Sequence, residues 1–118
     1  MTLSKNIEIS NDLYTKLQDC VKELVSVDVD AKIKKIAITG GFLKANNNEY
    51  RLVDDFLYLT LFTEKLSDLD ESPVSDLIID YQEDKTSSIH VVIDVSPMTD
   101  INNDYMKYFV WSEEMRGE

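Results

Sequence analysis

The stretch Phe56-Leu-Tyr-Leu-Thr-Leu-Phe-Thr63 decides the fold, because it reads either as helix or as strand. On a helical wheel Phe56, Leu59, Phe62 and Leu66 share a side, but Thr60 and Thr63 then fall among apolar positions. As a strand the run has high β-propensity and the near-continuous apolarity of a central element buried on both faces. It therefore reads as the middle of a sheet.

On its N-terminal side the period changes. Leu13, Leu17, Cys20, Val21, Leu24 and Val25 recur at spacings of three and four, with Ser10 or Asn11 as N-cap and Asp12 at the positive end of the dipole. This predicts an amphipathic helix over 11–26, with Cys20 as a small buried hydrophobe on its apolar side. Beyond it, Ile33 to Thr39 reads as a strand and Gly40-Gly41 as a bend or bulge. Phe42 to Ala45 and Glu49 to Val53 form a hairpin turned by Asn46-Asn47-Asn48.

On the C-terminal side, residues 64–76 read as an acidic loop with one helical turn before Pro73. Leu77 to Tyr81 and Ile89 to Val95 read as strands joined by the polar segment 82–88. Ile89, Val91, Ile93 and Val95 face the core, and His90, Val92 and Asp94 face away. In this register Asp80 and Asp94 come to one face. Tyr105 to Trp111 reads as a last strand. The expected architecture is α+β, with the N-terminal helix packed on a mostly antiparallel sheet of five to seven strands.

At 118 residues, with 43% hydrophobic residues and eleven aromatic ones, the composition fits one globular domain spanning 1–118. Cys20 is the lone cysteine and His90 the lone histidine, so no intramolecular disulfide and no cysteine-histidine metal cluster is expected; a reducing cytoplasm fits. The start of the chain lacks the apolar stretch of an export signal, and no run approaches a membrane span.

The net charge of −11 is regional. Thirteen acids lie between Asp54 and Asp104 against two lysines, Lys65 and Lys85, while residues 1–53 and 105–118 are nearly neutral. A field of one sign repels nucleic acid and speeds encounter with a basic partner, although it also serves plain solubility. The acids Asp54, Asp55, Asp68, Asp70, Glu71, Asp80, Glu83, Asp84 and Asp94 are the candidate partner-binding residues. Tyr81, Tyr105 and Trp111 are the candidate aromatic anchors for Lys and Arg.

Site chemistry is thin. His90 and Asp94 are separated by roughly 13 Å along a strand, too far for a dyad. Gly40-Gly41 lacks the lysine and third glycine of a phosphate loop. The acids from Asp68 do not form a calcium loop, since Pro73 holds the position that needs glycine and Ile79 the one that needs glutamate. No carboxylate pair stands out for glycoside chemistry. We expect no catalytic, cofactor or metal site.

These features fit a small acidic inhibitor, an immunity protein that neutralises a basic nuclease-type toxin by covering its active-site groove. The same charge fits a DNA-mimicking antagonist of a phage or host defence enzyme, or a non-catalytic adaptor subunit. A compact patch favours the first and a long stripe the second.

Overall fold

The computed structural model describes residues 7–44, 50–101 and 109–117. The arrangement is α+β. Among the described residues, seven strands and two α-helices occur in the order β1 (Ile7–Glu8), α1 (Asn11–Val27), β2 (Lys35–Gly40), β3 (Phe42–Lys44), β4 (Tyr50–Leu52), β5 (Phe56–Thr63), α2 (Pro73–Glu83), β6 (His90–Pro97) and β7 (Phe109–Ser112).

The strands form a four-stranded sheet in the order β6-β5-β2-β7 and a three-stranded sheet in the order β1-β4-β3. Three of the five pairings are antiparallel, and β1–β4 and β5–β6 are parallel. As expected, Phe56–Thr63 is a strand, and it lies inside the larger sheet. The hairpin after Gly41 is present as β3 and β4; its three-asparagine turn lies outside the described residues, as does the first half of the Tyr105 to Trp111 strand.

Two adjoining readings are overturned, since residues 73–76, read as loop, are the start of helix α2. Leu77 to Tyr81 is not a strand but the middle of α2. The start signal was present: the Ser72 hydroxyl accepts from the Ser75 N–H at 3.3 Å, and Pro73 takes the first turn, where its missing N–H costs nothing. Val74, Leu77, Ile78 and Tyr81 then follow at i, i+3, i+4 and i+7 and turn one face inward. Because α2 joins β5 to β6, these strands pair in parallel, from Phe56↔His90 to Thr63↔Pro97.

Helix α1 starts where expected, with the Ser10 hydroxyl accepting from the Leu13 N–H at 3.3 Å. Leu13, Leu17, Cys20, Val21 and Leu24 are buried against Ile36, Ile38, Leu59, Leu61, Val91 and Ile93 of the sheet, and α2 adds Val74 and Ile78 to the same core. Register explains the shared face: Ile36 stands opposite Leu61, Ile38 opposite Leu59, and Leu59 beside Ile93. The second face holds Phe62 and Ala37, buried but outside that core, with Phe62 edge-on to Phe109 at 5.9 Å.

Two glycines shape the corner between the sheets. The β2–β5 register slips between Ile38 and Gly40, and a Cβ on Gly40 would meet the Tyr58 Cβ at 3.1 Å. Gly41 has φ +79°, in the left-handed region. Substituting Gly41 by Ala is expected to cost about 1–2 kcal/mol, read as a lowered urea midpoint with an unchanged slope.

Candidate functional site

The segment Leu66 to Asp84 carries seven acids and no base. It folds as one unit, a 3₁₀ turn Leu66–Leu69 followed by α2, and crosses from β5 to β6. Its start is fixed locally: the Asp68 carboxylate accepts the Lys65 N–H at 3.0 Å, and the Ser72 hydroxyl donates to the Leu69 carbonyl at 2.6 Å. Leu69, Val74 and Ile78 are buried, which leaves Asp70, Glu71, Asp76, Asp80 and Glu83 exposed.

Asp76 stands in the first turn, where the helix dipole favours it, but the acids that follow do not help the helix. Asp76 and Asp80 are four residues apart and Asp80 and Glu83 three apart, like-charge spacings that each cost about 0.2–0.5 kcal/mol. Glu83 also lies at the negative end of the dipole, and the last turn has no base to offset it. Asp84 is held by its own loop, accepting from the Thr86 N–H at 2.8 Å and the Thr86 hydroxyl at 2.7 Å. The Thr86 hydroxyl, more than the backbone, holds its carboxyl below the usual range.

The other candidate acids are elsewhere. Asp54 and Asp55 occupy the turn between β4 and β5, where Asp54 pairs with Arg51 at 3.2 Å. Asp94 is on the second face of the sheet and accepts from the Tyr58 hydroxyl. Asp80, on a helix covering the first face, therefore does not share a face with Asp94. The expectation that it would rested on the strand reading of Leu77 to Tyr81, and it falls with that reading.

Two of the three candidate anchor aromatics, Trp111 and Tyr81, lie in the described residues, and both pack inward. Trp111 is 5% exposed in the core, with the Arg116 guanidinium 5.0 Å over its ring. Tyr81 is half-buried on the inward side of α2, and its ring already carries Lys16 of α1 at 5.5 Å. Tyr105 lies outside the described residues. Burial pushes the Tyr81 hydroxyl well above its ordinary range and the neighbouring Cys20 thiol up to about 11. Cys20 is thus protonated and shielded at neutral pH. A thiol-alkylating reagent is expected to modify it only at the rate of unfolding, so that mass increase tracks the urea transition.

Sequence reasoning missed two features. Tyr58, read only as part of an apolar strand, forms with Asp94, Phe56 and His90 a polar-aromatic cluster; Phe56 and His90 lie 5.9 Å apart. The signal was the parallel register, which no single-strand pattern reveals. The second is Ile79, 49% exposed, which with Leu66 at 61% flanks a groove of about 280 Å³ beside β6. Helical spacing through Val74, Ile78 and Tyr81 would have placed Ile79 outward.

Among the described residues, no group of three or more His, Cys, Asp or Glu is arranged to hold a metal ion, and no helix is long and apolar enough to cross a membrane. No protein-family model, curated protein or solved structure matches the chain.

Proposed function

We propose that this protein is a protein-binding inhibitor of the immunity type, acting in the cytoplasm by covering the basic nucleic-acid groove of a nuclease-type toxin. The observation that carries this reading is the gathering of seven acids and no base on the crossover unit from Leu66 to Asp84. A nuclease groove is built to neutralise phosphates, so a rigid patch of exposed carboxylates competes for the same lysines and arginines. Of these acids, Asp80 and Glu83 sit where they cost helix stability, which favours a role beyond solubility. The part of the patch on α2, Asp76, Asp80 and Glu83, is compact: the helix has eleven residues and spans about 16 Å, which suits one active-site groove better than an extended duplex track.

The test is rescue. Cells expressing a basic nuclease domain encoded beside this protein are expected to survive when it is co-expressed. They are expected to die when it carries D76N/D80N/E83Q, and to survive with D12N/D19N/E23Q on α1. Equal rescue by both triple variants would contradict the proposal.

A further inference from the structure

We propose that the groove bounded by the 3₁₀ turn Leu66–Leu69, α2 and β6 is the anchoring site for a basic partner segment that carries an apolar tip. The proposal deepens the inhibitor reading and rests on it for the partner's identity, although the groove's own chemistry stands apart from that reading. Val29, Leu66 and Ile79 are the exposed large hydrophobics among the described residues, and two of the three border this one groove. Scattered apolar residues on a surface need no explanation, but two at the rim of one apolar depression make a patch. The floor is built from Leu69, Ile78, Ile93 and Val95.

The volume, about 280 Å³, falls just below the range of small-molecule sites and suits a few side chains instead. Asp70 stands in the lining among these apolar groups. An apolar side chain flanked by a cation matches that pairing, the apolar group filling the depression while the neighbouring Lys or Arg head meets the Asp70 carboxylate. Asp76, Asp80 and Glu83 continue the negative charge from the rim outward along α2, on the side of Ile79 away from Ile78. A second copy of this chain would bring the same acids face to face at a net charge of −11, so charge complementarity selects a basic partner over self-association.

The groove would then work as a hot spot: the acids steer the encounter and the apolar pocket slows release. The probe is a lysine-rich peptide with a central Leu-Leu pair, compared by calorimetry with oligolysine and with the glutamate-rich equivalent, each of the same length. The wild type is expected to bind the leucine-bearing lysine peptide at least about tenfold more tightly than oligolysine, a difference of about 1.4 kcal/mol. L66S/I79S is expected to remove that difference while leaving oligolysine binding and the urea midpoint unchanged, since both side chains are exposed.

The inference is overturned if L66S/I79S keeps the preference, if the glutamate-rich peptide binds equally well, or if the wild type sediments as a dimer that L66S/I79S dissolves. Loss of the peptide preference with rescue intact would remove the groove and leave the inhibitor reading. A clear preference together with no rescue by the wild type would remove the inhibitor reading and leave the groove.

Discussion

Replacing Asp28 by Ala is expected to lower folding stability by about 3–5 kcal/mol, the range for removing one partner of a buried ion pair. Asp28 is 5% exposed, and its carboxylate does three things at once. It accepts the backbone N–H groups of Lys32 at 3.0 Å and Ile33 at 2.9 Å, closing the loop between α1 and β2, and it pairs with Arg116 at 3.0 Å. Alanine strands the N–H of Ile33, a residue with no exposure, and an unsatisfied buried donor alone costs about 1–3 kcal/mol. Arg116 would keep its bond to the Ile33 carbonyl at 2.9 Å and its place over Trp111.

The reverse substitution, Arg116→Met, should cost a comparable amount. It leaves the Asp28 carboxylate, 3% exposed, with two N–H donors but no counter-charge, and it strands the Ile33 carbonyl that Arg116 bonds at 2.9 Å. Urea unfolding of both variants checks this. A much smaller loss for Arg116→Met than for Asp28→Ala would mean that the loop closure, and not the pair, is what Asp28 supports. Against a total stability of about 5–15 kcal/mol for a domain, the expected loss leaves a marginal fold.

The role of Asp28 was not legible in the sequence, where it is one acid among many after a helix. Its burial depends on Arg116, eighty-eight residues away. Helix α1 was legible because its whole signal is local: a cap at Ser10 and apolar residues at spacings of three and four. Phe56–Thr63 was legible because threonines on a helical stripe are a conflict that a strand resolves.

Helix α2 was misread because two local signals compete. Leu77 to Tyr81 alternates like a strand and contains two β-branched residues, whereas the helical evidence begins five residues earlier, at the Ser72-Pro73 cap. That error reached the site. It put Asp80 beside Asp94, hid Ile79 and its groove, and concealed the parallel β5–β6 pairing that only a crossover helix permits. The acidity of the segment was plain from composition, but which acids share a surface is decided by α2. Trp111 and Tyr81 are candidates of the same kind: aromatic identity is local, while burial is a tertiary property.

The second large effect concerns association, and its measurement is also the most direct test that the crossover acids bind a basic partner. D76N/D80N/E83Q keeps the shape of α2 and removes three charges; the loss of Asp76 from the first turn offsets the gain from the relieved like-charge spacings, so stability should change little. Steered association between opposite charges is faster by 10- to 1,000-fold at low ionic strength and loses that gain as salt rises. The variant is therefore expected to associate with the basic partner at least about tenfold more slowly near 20 mM salt, and to converge on the wild-type rate near 300 mM, where the screening length falls well below 10 Å. D12N/D19N/E23Q on α1 is the control, because its charges lie where acids and bases nearly balance. Stopped-flow association rates across that salt range decide the matter. A flattened salt dependence is expected for the α2 variant alone; equal slopes for the wild type and both variants would contradict binding through the crossover acids.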